Sequence, residues 1–287
     1  MPCCSGRAIL LLAGLGALWL VAPAGCAIPA YTAKETQTDV FETGPTPKIV
    51  VDTFNGSIDI SNGAEDEVVV EVTKRASGMD EDTAAANLAN IEIAMEQRGD
   101  EIHITARRLR GMRGNFGASV IVAAPPEAVV ELKTDNGYIV SEGMRGGVEA
   151  RTSNGRIDVV EATGPINART SNSAIQIEAE DAVLEARTSN GRVRFRGSLA
   201  DARHRVRTSN GKIDIILPEG SVFRFDASTS NGRVDCEFPF DRTDSGRSRR
   251  NIEGLVGDGP TKTELVLDTS NSSIDIRRID DSKQLLD

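Results

Sequence analysis

The chain has 287 residues, a formal net charge of −10 and only 4% aromatic residues. Such acidity excludes the basic footprint of a nucleic-acid-binding domain, and so few rings exclude a thick core, leaving Ala, Val, Ile and Thr to fill a thin one. Three of the four cysteines, Cys3, Cys4 and Cys26, lie in the first 26 residues; Cys236 alone in the body excludes an internal disulfide or a Cys-rich metal site there.

Residues 1–26 read as a secretory leader. Arg7 gives the positive start, and Ala8 to Val21 is an apolar run too short to span a bilayer comfortably. Val21-Ala22-Pro23-Ala24-Gly25-Cys26 resembles a bacterial lipobox, in which the cysteine thiol receives the lipid. Pro23 departs from the usual aliphatic residue, and Ala22-Pro23-Ala24 would also serve ordinary signal cleavage. The expectation is an exported cell-envelope protein, anchored to a membrane only through a lipid on Cys26, or else periplasmic or secreted. Residues 27–48 are polar, with several Pro and Thr, and read as a tether reaching about 25 Å if flexible.

Residues 49–124 read as a first coil followed by a β-rich cap. Val68 to Val72 predicts a strand, and Asp80 to Ala89 a short helix with an acidic cap and an Ala-rich body. Ile91 to Met95, Glu101 to Ala106 and Ala118 to Ala123 predict three more strands, closed by Pro125-Pro126. Such a cap would cover strand edges that an open solenoid end exposes.

Residues 125–278 carry the main signal. A Thr-x-Asn turn recurs at Asn55, Asn136, Asn154, Asn172, Asn190, Asn210, Asn231 and Asn271. Gly follows each Asn except at Ser173 and Ser272. From Asn136 to Asn231 the spacings are 18, 18, 18, 20 and 21, and the last is 40. A β-branched aliphatic stands three residues after every Asn, and apolar residues dominate four and six before it. Each arm therefore reads as a strand with one buried face. Thr shares the phase of the buried set. Asn and Gly suit a left-handed or tight turn, so the two Ser turns should be shaped differently. An 18-residue unit cannot bury its own apolar face, but stacked units can, with Asn above Asn in a hydrogen-bonded ladder. Asn-Gly also marks hairpins, yet recurring columns around every Asn favour stacked coils. The predicted fold is mainly β: a parallel β-solenoid of about 18–21-residue coils with a small cap containing one short helix. Residues 238–262, rich in Pro, Gly and charge, read as a loop exposing Arg247, Arg249 and Arg250. Residues 279–287 read as a tail.

These Thr-Ser-Asn-Gly-x-Ile-x-Val units, the β/α lead-in and the late Gly254-Leu255-Val256-Gly257-Asp258-Gly259 segment resemble the bacterial family of exported putative-adhesin domains of unknown function. The resemblance covers residues 49–276. It implies a β-solenoid and surface adhesion, and supplies no catalytic or binding residues.

Charges repeat on the solvent side. Arg151, Arg169, Arg187 and Arg207 form one column, with Glu149 and Glu185 beside it; Arg156, Arg192, Lys212 and Arg233 form a second; Asp59, Asp158, Asp214, Asp235 and Asp275 a third. The Arg column is the candidate face for an anionic ligand, an envelope glycan or a surface protein; the competing reading is a solvated, self-neutralising face. Calcium-binding rolls need Asp in two Gly-rich turns per coil, whereas here Asp falls in a strand. His103 and His204 stand near no nucleophile, and Cys236 aligns with Val159, Ile177 and Ile215 as a structural thiol. No residue breaks the repeat as an active site must. The expectation is a non-enzymatic scaffold without a cofactor. The alternative is a parallel β-helix enzyme acting on an acidic polysaccharide, which requires a concave face with unlike acid and base groups.

Overall fold

The computed structural model describes residues 31–111, 114–243 and 248–279. Cys26 and the leader, Arg247 and most of the expected tail lie outside the described residues.

In chain order the strands are β1 (Tyr31–Glu42), β2 (Lys48–Thr53), β3 (Ile58–Asn62) and β4 (Glu67–Gly78); then α1 (Glu81–Asn87) with a 3-10 turn at Leu88–Asn90; then β5 (Ile91–Arg98), β6 (Glu101–Arg108) and β7 (Phe116–Ala124). The repeats follow as β8 (Val129–Thr134), β9 (Ile139–Glu142), β10 (Val148–Arg151), β11 (Ile157–Arg169), β12 (Ile175–Arg187), β13 (Val193–Leu199), β14 (Arg203–Arg207) and β15 (Ile213–Leu217). The chain ends with β16 (Phe223–Thr229), β17 (Val234–Cys236), β18 (Phe240–Arg242), β19 (Asn251–Val256), β20 (Glu264–Thr269) and β21 (Ile274–Arg278). Asp80 caps α1 by accepting the Thr83 N–H at 2.7 Å.

The strands build an open parallel β-solenoid of two ladders. The first, before each Asn turn, runs β5-β6-β2-β8-β10, then the second halves of β11 and β12, then β14-β20-β16-β19-β18. The second, after each turn, runs β1-β4-β7-β3-β9, then the first halves of β11 and β12, then β13-β15-β21-β17. Inside the stack all pairing is parallel, and it is in register on both sides of the Asn turn, for example Val148↔Ile166 and Ile166↔Leu184; the register shifts at the opposite corner, between Val159 and Gly164 and between Ala179 and Ala182. The inner faces share one core, with Ala150, Ala168, Ala186, Ile157, Ile175 and Ile213 almost fully buried.

Layer order does not follow chain order at either end. The coil β2–β3 lies between β6–β7 and β8–β9. The last coil, β20–β21, slides between β14–β15 and β16–β17.

Two expectations are corrected. Tyr31–Glu42, in the middle of the expected tether, forms strand β1, paired antiparallel with β4 over twelve positions. It lacks an apolar alternation because it overhangs the end of the core, so backbone bonds hold it rather than burial. Residues 238–262 are not a plain loop: β18 and β19 form an antiparallel pair, and β19 covers the outer edge of β16. Their shortness and Gly254 hide them from a periodicity reading. Gly254 is required there, since a Cβ would meet Phe240 at 2.6 Å and Phe225 at 2.7 Å. Phe223, Phe225, Phe238 and Phe240 close this end with ring centroids 5.2 to 6.2 Å apart.

Candidate ligand-binding face

The Thr-x-Asn turn forms one corner of every repeat. Asn154 donates its side-chain amide to Asn136 Oδ1 at 2.7 Å, Asn172 to Asn154 at 2.7 Å, Asn190 to Asn172 at 2.8 Å and Asn210 to Asn190 at 2.8 Å. The ladder then passes to Asn271, which donates to Asn210 at 2.6 Å, and ends with Asn231 donating to Asn271 at 2.7 Å. Asn55 donates instead to the Phe116 carbonyl at 2.7 Å. The ladder lies on the surface.

Beneath it runs a buried ladder of threonines, whose bonds the sequence reading missed. Thr188 Oγ1 donates to the Ser173 carbonyl of the neighbouring layer at 3.0 Å and accepts the Gly191 N–H at 3.2 Å. Thr134, Thr152, Thr208 and Thr229 make the same pair of bonds. At Ser173 and Ser272 the N–H to Thr bond is absent. The recurrence of Thr, never Val, in all eight repeats was the available signal.

The expected reason for Gly is also corrected. No repeat Asn has a positive φ, and neither do Gly137, Gly155, Gly191, Gly211 or Gly232. Gly is needed because a Cβ on Gly191 would stand 1.6 Å from the Ser173 carbonyl oxygen. Left-handed residues sit at the opposite corner, at Glu161 (φ 53°) and Asp181 (φ 48°).

The first ladder places the predicted Arg column on its outer face. The lateral order is Asp52, Lys133, Arg151, Arg169, Arg187, Arg207 and Asp268. Most of these cations already hold an acid. Lys133 meets Asp52 at 3.2 Å, Arg151 meets Glu149, Arg169 meets Glu185 at 2.7 Å, and Arg207 meets Asp268 at 2.8 Å. Arg187 makes no ion pair among the described residues. Neither does Arg205, its diagonal neighbour on the same face.

Beside the column lies a shallow groove of about 750 Å³. Val129, Gly147, Pro165 and Val183 form its apolar floor, Glu131, Glu149, Asn167 and Glu185 one wall, and Arg203 and Arg205 one end. Asn167 Oδ1 is buried there without a hydrogen-bond partner, as is Nε of Arg169 in the neighbouring column.

On the second ladder the other two columns neutralise each other. Arg156 meets Asp158 at 2.6 Å, and Arg233 meets Asp235 at 2.5 Å. Asp214, buried, gathers Lys212 at 3.0 Å, Arg277 at 3.1 Å and Arg192 at 3.7 Å. Burial nevertheless pushes the Asp158 carboxyl above its ordinary value, against the pull of Arg156. Of the Asp column, only Asp214, Asp275 and Asp235 are lateral neighbours; Val140 separates Asp59 from Asp158, and Gln176 and Arg194 separate Asp158 from Asp214. Among the described residues no group of three or more His, Cys, Asp or Glu is arranged to hold a metal.

His103 is half-exposed beside Glu101, 3.2 Å away. His204 is fully buried: Nδ1 accepts the Leu184 N–H at 3.1 Å, so Nε2 carries the proton toward the Ala200 carbonyl at 3.0 Å. Burial raises the Cys236 thiol to about 11, which leaves it protonated and unreactive at neutral pH.

The family model described as Toastrack DUF4097 matches residues 32–277. The chain belongs to the Toastrack DUF4097 family. Several solved structures match at low identity. A putative adhesin from Bacteroides fragilis is 12% identical, with 86% of this chain and 98% of that chain covered and a TM-score of 0.46. A putative cell adhesion protein from Clostridium sporogenes is 12% identical, with coverages of 85% and 100% and a TM-score of 0.33. A putative adhesin from Parabacteroides distasonis is 11% identical, with coverages of 85% and 97% and a TM-score of 0.38. No curated protein matches significantly. None of these similarities assigns a site to this chain.

Proposed function

We propose that this Toastrack chain is a non-enzymatic scaffold of the cell envelope, anchored through a lipid on Cys26. Its first ladder binds an anionic envelope glycan or an acidic surface protein. The observation that carries this reading is the pair of unneutralised guanidinium groups, Arg205 at the end of a groove with an apolar floor and Arg187 diagonally beside it on the same face. Both stand on rigid, in-register strands, so their spacing is preset. Arg151, Arg169 and Arg207 contribute less, because Glu149, Glu185 and Asp268 already occupy them.

The test is binding of the mature protein to anionic envelope polymers at two salt concentrations. Arg187→Gln with Arg205→Gln is expected to weaken binding about tenfold and flatten its salt dependence. Arg151→Gln with Arg207→Gln should change it less. Equal effects of the two pairs, or no salt-sensitive binding in the parent, would refute the assignment.

The groove also supports a second reading, since it holds unlike charges. A glycosidase needs one carboxyl kept protonated beside an ionised one, commonly by burial. Glu149 and Glu185 instead lie partly open to solvent and paired with Arg. Turnover of an acidic polysaccharide that is abolished by Glu131→Gln or Glu149→Gln would establish the enzyme reading.

A further inference from the structure

We infer that the β1 end of the stack rests on a phospholipid bilayer through Tyr31, Met79 and Leu109. The inference rests on the proposed anchor at Cys26. Five peptide steps separate Cys26 from Tyr31, a reach of at most about 18 Å. With β1 taking up the expected tether, an anchored molecule has little freedom to leave the membrane surface.

Tyr31 opens β1, the outermost strand of its ladder, and pairs with Gly78; Met79 follows directly. Leu109 lies at the same corner. The connection runs through Asn87, which donates to the Ser77 carbonyl at 3.0 Å, and Asn90, which donates to Asn87 Oδ1 at 3.4 Å. Asn90 in turn accepts the Leu109 N–H at 2.9 Å. Met79 is 70% exposed, Tyr31 49% and Leu109 39%. An apolar side chain beside a tyrosine suits the bilayer interface, where the ring lies among headgroups with its hydroxyl in water.

Charges around this corner nearly cancel. Arg107, Arg108 and Arg110 are exposed on one side, and Asp80, Glu81 and Asp82 on the other. Apolar insertion, rather than attraction to anionic lipid, therefore holds the contact, and uncharged phosphatidylcholine suffices as partner.

The only tryptophan of the chain is Trp19, in the leader, so a mature protein carrying Met79→Trp has one fluorescent reporter. In phosphatidylcholine vesicles with brominated acyl chains, the lipidated Met79→Trp protein is expected to lose at least half its fluorescence relative to plain vesicles. Val183→Trp, on the flank of the stack, should be unchanged. Absence of quenching for Met79→Trp, with the Cys26 lipid verified by mass spectrometry, overturns the contact and leaves the anchor standing. Equal quenching of both variants means that the molecule lies on its side, which also overturns it. A mature amino terminus without lipid refutes the anchor; adding that unlipidated Met79→Trp protein to the same vesicles then tests the surface alone, and no quenching refutes the contact as well.

Discussion

Asn190, Thr188 and Gly191 sit within four residues yet act through different physics. The Asn190 amide bonds Asn172 at the surface, where water competes, so Asn190→Ala should cost about 0.5–1.5 kcal/mol. The Thr188 hydroxyl satisfies a buried carbonyl and a buried N–H. Thr188→Val keeps the shape but strands both groups, and should cost about 1–3 kcal/mol. Gly191→Ala pushes a methyl against a backbone oxygen of the neighbouring layer. That clash can be relieved only by opening the layer spacing, so it should cost the most, about 3 kcal/mol. Urea unfolding of the three variants checks this order, and Asn190→Ala as the worst would contradict it. His204 adds a pH term. Desolvation lowers its pKa from 6.5, although the bond to the Ala200 carbonyl opposes this. The unfolded chain then binds the proton more readily. Stability is therefore full above about pH 6.5 and declines as pH falls through the lowered folded value. Comparing urea midpoints at pH 7.5 and 5.5, His204→Leu should be less stable at pH 7.5, because the Leu184 N–H loses its acceptor, but should lose less on acidification. An unchanged pH slope would remove His204 as the source.

At the scale of elements, the repeat strands were legible and the terminal ones were not. The strands from β8 to β17 carry apolar residues at period 2, because each has one face in a continuous core. β1 and β18–β19 serve as edge covers, and covering an edge needs backbone groups rather than apolar side chains. Their sequences therefore look like linker. The coil β20–β21 is a different case. Its strand pattern was plain, but its place was not. In an ordinary solenoid the last coil is a terminal layer whose loss the rest survives. Here it is an inner layer, bonded to β14–β15 on one side and β16–β17 on the other. Ending the chain after residue 262 should therefore strip both neighbours and the Phe-lined end together. The expected result is a large fall in thermal midpoint and a lower urea m-value. A truncated protein that melts like the parent would contradict the inserted position.

For the whole molecule, the amino-acid sequence by itself determined the solenoid class, the inward Thr and the alignment of eight turns. These are nearest-neighbour properties: a period-2 strand, a tight turn and an apolar column repeat locally, and any two such coils stack the same way. Legibility ended where the outcome depends on which coil meets which. Every coil presents the same backbone edge, so sequence columns cannot distinguish Asn231 from Asn271 as the neighbour of Asn210. Loop lengths and end covers decide that in three dimensions, and they choose Asn271. The charges follow the same logic. The Arg column was readable from spacing, but its electrostatics was not, because Arg151 takes an acid on its own strand while Arg169 reaches across to Glu185 in the next layer. Only the tertiary structure separates the neutralised Arg from Arg187 and Arg205. It alone also links Tyr31 and Met79 to Leu109, through the Ser77–Asn87–Asn90–Leu109 hydrogen bonds, because residues so far apart in the chain come to one end only when the cap folds back over the stack.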